Sequence, residues 1–311
     1  MKVYHSIDSF PTSKCAVVTT GTFDGVHIGH RKILKRLEEV AKQHDGETVL
    51  LTFHPHPRTV LQPDMELKLL TNLDEKIALL ETAGLDNLIV HPFTVDFSRT
   101  SSLEFVRNLL VNKIGAKHLV IGYDHHFGRN REGSFEHLKE FGPVYGFDVE
   151  EISAQDVDQV NVSSTKIRNA LNEGDVETAH SFLTYAFHLT GWVVKGDQIG
   201  NTIGFPTANI EIKDNNKLIP ADGVYAVKAI LPQHGGRLVN GMCNIGHRPT
   251  VHGTERRIEV NLFEFNEDIY GEKVIVQFFH RIRSEQKFES VDQLKTQLHR
   301  DELEARQLLG S

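Results

Sequence analysis

An α/β domain followed by an all-β domain is the architecture the sequence predicts, and three observations carry it. Short apolar, β-branched runs alternate with helical-period segments from residue 16 to about 183, the pattern of a doubly wound parallel sheet. From Phe187 onward the period changes to two, in six strand-like runs without intervening helices, which suggests an antiparallel barrel. At 311 residues the chain is long for one domain and comfortable for two. The expected division is 1–183 and 184–311.

In the first part, strands are read at 16–20, 48–53, 88–90, 118–122 and 147–152, each short and apolar as a buried strand should be. Between them, Ile33, Leu37, Val40 and Ala41 mark one helix by their spacing. Asn72 with Glu75 caps a second helix that stops at Gly84, and Ser101 with Glu104 caps a third that closes at Gly115. A serine of the 162–168 segment caps a fourth, which carries Ile167 and Leu171 inward. The prolines of 54–58 argue for a loop rather than a helix there. In the second part, strands are read at 189–194, 208–212, 224–231, 238–244, 257–265 and 274–282, and a closing helix over 291–309 is expected to pack outside the barrel.

Composition narrows the function. Lys plus Arg 34 against Asp plus Glu 42 gives a net charge of −8, which argues against a general nucleic-acid surface. Anionic substrates then require local positive sites. Cys15 and Cys243 lie far apart and form no paired motif, the usage of a reducing compartment. No apolar run reaches membrane-spanning length and residues 1–10 lack a signal-peptide core, so a cytosolic protein is expected. The 18 histidines cluster at 27/30, 54/56 and 125/126, but no Cys pair or His-Glu-x-x-His helix accompanies them, which disfavours a structural metal.

The junction Gly21-Thr22-Phe23-Asp24-Gly25-Val26-His27-Ile28-Gly29-His30 holds more polar equipment than a plain connection needs. Glycine lets a ligand approach the backbone closely. The first helical turn offers unpaired N–H groups and partial positive charge to an anion. His27 and His30, three apart, share a face of that turn and are spaced to serve one phosphate. Loops 54–58 and 123–133 leave the carboxyl ends of strands, where open α/β sheets place ligands, though plain surface loops would look the same. Ser163, Ser164, Thr165, Lys166 and Arg168 open a helix with hydroxyls and two cations, a fitting clamp for a triphosphate tail. Neither a Gly-x-x-x-x-Gly-Lys-Ser/Thr loop nor a Gly-x-Gly-x-x-Gly turn after the first strand is present, which removes the Walker and ordinary dinucleotide readings.

Two features of the second part exceed scaffold needs. Residues 196–209 form a glycine-punctuated loop entering a strand through Pro206, which suits a flap over phosphates or an ordinary long loop. Alternation puts Glu259 on the face of Phe263 and Phe265, with Ile258, Val260 and Leu262 on the other. It is either an exposed strand carboxylate or a general base.

His27-Ile28-Gly29-His30 matches the HIGH motif of nucleotidyltransferases, and the ten residues 21–30 resemble the amino-terminal signature of bacterial bifunctional riboflavin kinase/FAD synthetases. Residues 52–58, the Gly122–Gly128 stretch and the 163–168 block resemble further motifs of that family. So do residues 204–210, 222–225, 244–250, 258–260 and 270–271, in the order of a riboflavin kinase domain, so that the resemblance covers nearly the whole chain. It implies a HIGH-type FMN adenylyltransferase domain ahead of a kinase barrel, with ATP, riboflavin, FMN and FAD as substrates or products. For the first domain it implies His27, His30 and Arg168 as catalytic. Gly21, Phe23, Asp24, Gly25, His56, Asp124, Ser163, Ser164 and Thr165 would bind nucleotide or flavin. For the second it implies Glu259 as the base for the riboflavin hydroxyl, Lys195, Gly204, Pro206, Thr207 and Asn209 as binding residues, and Mg²⁺ held with ATP at Thr207 and Asn209.

The chain departs from the family pattern at His125, where an aromatic is usual, and at Lys195, Asn201 and Asn261. The rivals are another HIGH-type adenylyltransferase or cytidylyltransferase with an unrelated barrel, and a barrel that is a non-catalytic flavin-binding or regulatory module. A tRNA synthetase is disfavoured by the short acidic chain without a Lys-Met-Ser-Lys-Ser block.

Overall fold

The computed structural model describes residues 1–153, 162–196, 200, 203–250 and 253–310, with the side chains of 248–250 and 253–255 outside that description. The chain divides into two compact units, Met1–Ser164 and Thr165–Ser311.

The first unit is a six-stranded sheet built from β1 (Lys2–Tyr4), β2 (Ala16–Thr20), β3 (Glu47–His54), β4 (Asn87–Pro92), β5 (Ala116–Gly122) and β6 (Asp148–Ile152). Their order is β1-β4-β3-β2-β5-β6, with every neighbouring pair parallel. Alternate residues of the central strands feed two separate cores, as a sheet covered on both faces requires. Val17, Leu50, Leu88 and Val120 pack with Leu34, Leu37 and Val40 of α1 (Ile28–Gln43) and Leu80 of α3 (Leu73–Thr82). Val18, Leu51, Ile89 and Ile121 pack on the opposite face with Phe105, Leu110 and Ile114. Those three belong to a helix that begins as α4 (Ser102–Glu104) and widens into π-type turns over Phe105–Ile114. The capping boxes expected at Asn72/Glu75 and Ser101/Glu104 are both formed.

Three elements of this unit differ from the sequence reading. A short edge strand, β1, precedes those expected. A five-residue helix, α2 (Pro57–Leu61), begins where the prolines argued for loop, because Pro57 occupies the first turn, where no N–H is needed. Between β5 and β6 lies α5 (Phe135–Tyr145), ended by Gly146 at φ 74°.

The second unit begins at Thr165, one residue into α6 (Ser164–Glu173), and continues with α7 (Val176–Leu183). A closed barrel follows: β7 (His188–Val194), β8 (Ala208–Glu211), β9 (Gly223–Leu231), β10 (Arg237–Thr250), β11 (Gly253–Leu262) and β12 (Lys273–Arg283), in the order β10-β11-β8-β7-β12-β9. The compact division falls before the expected 183/184 boundary because α6 and α7 are tied to the barrel. Ala221 N donates to Leu171 O at 2.9 Å, Arg281 to Glu173 O at 3.0 Å, and His280 pairs with Glu177 at 2.8 Å.

Register separates the barrel's two faces. Cys243 opposes both Tyr225 and Val260, and all three are buried, so they face the interior with Val227, Ala229 and Leu231. Ala226 and Met242 take the outer face, where they pack with Ala305 of α8 (Val291–Leu309). The expected outer packing of the closing helix is therefore observed. Arg283 anchors it by donating to the fully buried Asp301 at 2.7 to 3.0 Å.

Candidate functional sites

In the first unit the chain runs outward from β2 through β3 to β4, then returns to place β5 on the other side of β2. The carboxyl ends of β2 and β5 therefore flank a topological switch point, where open α/β sheets bind ligands. The turn 21–27 leaves β2 there and the loop 123–133 leaves β5. His125 joins them, its Nε2 lying 3.0 Å from Oγ1 of Thr20.

The turn is sharply bent. Phe23, Gly25 and Val26 all have left-handed backbone, at φ 47°, 83° and 37°. For a β-branched valine this conformation is strained, and such strain collects at functional sites. Burial and hydrogen bonds hold it. Asp24, 2% exposed, accepts from the backbone N–H of Leu70 at 3.0 Å and of Thr71 at 3.1 Å. Gly25 N donates to Thr71 Oγ1 at 3.2 Å, and Ser164 Oγ donates to Asp24 O at 3.0 Å. Asp24 thus braces the turn.

The result is a stack of three rings. Phe23 lies on His30 with centroids 4.5 Å apart, and His30 lies on His27 at 3.7 Å. His30 Nδ1 is buried without a hydrogen-bond partner among the described residues. Burial first, then the neighbouring His27 and Lys76, hold the His30 imidazole well below its ordinary pKa, so the ring is neutral at pH 7. His27 caps α1, whose first turn carries no acidic side chain, so the positive end of the helix dipole is left for an anion. Space beside the stack is tight at Gly21, where a Cβ would lie 3.0 Å from the Phe23 ring.

The other expected residues of this unit are placed as follows. Ser164 joins the turn through Asp24. Asp124 is exposed at the switch point, near Gly122. His125 stacks on Phe127 at 5.9 Å, and burial lowers its pKa to about 4. His56 caps α2, its Nδ1 accepting from Arg58 N at 3.1 Å. Ser163 is partly exposed. Thr165 and Arg168 lie on α6, in the second unit. Lys76 was not expected. Only 8% exposed, it donates to Thr22 O at 2.7 Å, and the sequence offers no signal for it because lysine is ordinarily a surface residue.

In the barrel, Glu259 stands directly opposite Asn209 on one side and Asn244 on the other, so the three side chains share the outer face. Burial, and then the Glu259 charge, push the Cys243 thiol upward. Asn209 lies against the backbone of Gly196, where a Cβ would meet its amide at 2.1 Å. Asn261, two residues beyond Glu259 and 7% exposed, donates to Pro206 O at 2.6 Å and so fixes the approach to Thr207. A cleft of about 320 Å³ opens beside Thr207 and Pro206, lined by Ala208, Val260, Phe265 and Tyr270. Ala208 and Val260 are the immediate neighbours of Asn209 and Glu259 on the interior-facing side, so the cleft and the carboxylate are reached from opposite faces of the same strands. Lys195 is exposed at the end of β7, and Gly204 is exposed at φ 89°. Asn201 lies outside the described residues, as does most of the 197–202 loop.

A HIGH-type turn at the switch point of a parallel sheet marks a nucleotidyltransferase unit, and the barrel that follows carries a carboxylate between two asparagines. Residues 10–166 match the FAD synthetase family and residues 183–309 the riboflavin kinase family. The chain belongs to the bifunctional riboflavin kinase/FMN adenylyltransferase family. It is 38% identical to the protein of that name from Escherichia coli K12, covering 98% of this chain and 96% of the relative. It is 39% identical to the Haemophilus influenzae protein over 92% of each. A crystal structure described as a macrolide-efflux protein from Streptococcus pneumoniae has the same fold, with a TM-score of 0.88 and 33% identity over 98% of both chains. No helix among the described residues is long and apolar enough to cross a membrane.

Proposed function

We propose that the chain converts riboflavin to FMN in the barrel and FMN to FAD in the α/β unit, each step using ATP, in the cytosol. The observation that carries the adenylyl-transfer half is the Phe23–His30–His27 stack at the acid-free start of α1. An FMN phosphate oxygen attacks the α-phosphorus of ATP, and the bond to the β-phosphate bridge oxygen breaks, releasing pyrophosphate. The attacking phosphate is already a nucleophile, so no covalent enzyme intermediate is needed. His30, being neutral, acts as a hydrogen-bonding group rather than as an acid, and its buried Nδ1 is a polar atom that a bound phosphate would satisfy. Asp24 and Ser164 hold the turn.

In the barrel, Glu259 takes the proton of the riboflavin 5′-hydroxyl as that oxygen attacks the γ-phosphorus and ADP leaves. Thr207 and Asn209 offer two neutral side-chain oxygens, and no cluster of three His, Cys, Asp or Glu among the described residues could hold a metal by itself. That donor set fits a Mg²⁺ ion delivered with the nucleotide phosphates. When bound, the ion offsets charge developing on the transferred group.

Incubation with riboflavin, ATP and Mg²⁺, followed by chromatography, is expected to show FMN first and FAD afterwards. Absence of FMN overturns the kinase half, and failure to convert supplied FMN overturns the adenylyl-transfer half.

A further inference from the structure

Lys76 sits in the first turn of α3 with its ammonium buried beneath the phosphate turn. Among the described residues it makes no ion pair. Its Nζ donates to Thr22 O at 2.7 Å; burial pulls the ammonium below its ordinary pKa, partly offset by the nearby Asp24 carboxylate, which accepts from the Leu70 and Thr71 amides. Its charge in turn reaches His30. A buried ammonium without a contacting carboxylate is unfavourable alone. It becomes favourable when an anion binds nearby.

The hydrogen bond has a second effect. In a planar trans peptide the C=O and the following N–H point in opposite directions. Drawing Thr22 C=O toward Lys76 therefore turns Phe23 N–H to the other side of the turn. We infer that Lys76 is a positioning residue for adenylyl transfer, supplying the fixed positive charge of the phosphate seat while orienting the 22–23 peptide. The inference rests on the adenylyl-transfer reading of the same turn. It assigns charge stabilisation to a lysine of α3 and leaves hydrogen bonding to the imidazoles.

Two variants separate charge from bracing. Lys76→Gln keeps a donor for Thr22 O without the charge, and Lys76→Arg keeps the charge. With FMN supplied, Lys76→Gln is expected to lose about 10²-fold in turnover, the scale of one preorganised electrostatic donor. Inhibition by inorganic pyrophosphate should weaken by about tenfold and lose part of its salt dependence. Lys76→Arg should restore most of both, while FMN formation from riboflavin stays unchanged in either variant. Wild-type turnover and pyrophosphate inhibition in Lys76→Gln would overturn the inference, as would equal loss in the two variants. Failure of the unsubstituted chain to convert FMN would instead sink the adenylyl-transfer reading itself.

Discussion

The phosphate turn of the first unit and the strand pair of the second position polar groups by opposite means. Phe23, Gly25 and Val26 adopt left-handed backbone, and the turn is held by a buried aspartate, a buried lysine and three stacked rings. Asn209, Glu259 and Asn244 are instead set by the register of regular antiparallel strands and remain partly exposed. The first site depends on how its backbone and rings are packed. The second depends mainly on which functional group stands at each register position.

The largest expected effect sharpens that contrast at the regular site. Glu259→Gln changes little in volume, yet should reduce FMN formation by about 10³-fold through loss of the base, with conversion of supplied FMN unchanged. Parallel loss of both activities would break the separation of the sites. His30→Ala is next. It should lower FAD formation by about 10²-fold while sparing the kinase step, as read by the same chromatography.

The third prediction concerns pH. His125 has a pKa near 4 in the folded unit against 6.5 for the free imidazole, so the unfolded chain takes up the proton first. Its contribution to stability is complete above pH 6.5 and is lost as pH falls through 4. Allowing for partial exposure, His125 should account for roughly 2 kcal/mol of the stability lost across that window, read as the difference in pH dependence of denaturant unfolding between the unsubstituted chain and His125→Phe. Identical pH dependence in the two proteins would show that the imidazole is not desolvated. The smallest effect tests packing alone. Gly21→Ala places a methyl 3.0 Å from the Phe23 ring, and the displaced stack should reduce FAD formation by about tenfold. Full activity would mean that the stack tolerates movement.

Much of the architecture was legible because period and punctuation are local. The switch from helix–strand alternation to period two marks the barrel, and the helix over Val291–Leu309 appears as expected. Alternation assigns Glu259 to the face of Phe263 and Phe265; Phe263 indeed packs in the outer cluster, but Phe265, beyond the end of β11, lines the cleft with Val260. What was not legible depends on contacts distant in sequence. Lys76 reads as a solvated helix residue until Thr22 is placed above it, and the bracing of the turn by Asp24 depends on the Leu70 and Thr71 amides, far along the chain. Asn261 reads only as a departure from the family pattern, but its amide restrains Pro206. The three-residue β1 carries too few residues to show a period, and α2 is hidden by prolines whose effect depends on helix position.

The central claim is that two chemically independent sites, one in each unit, act in sequence through FMN. Mixing the His30→Ala and Glu259→Gln proteins with riboflavin, ATP and Mg²⁺ tests it directly. Each protein alone should yield almost no FAD, and the mixture should yield FAD as FMN released by the first variant is adenylylated by the second. A mixture that makes no FAD, although each variant retains its remaining half-reaction, would contradict the claim.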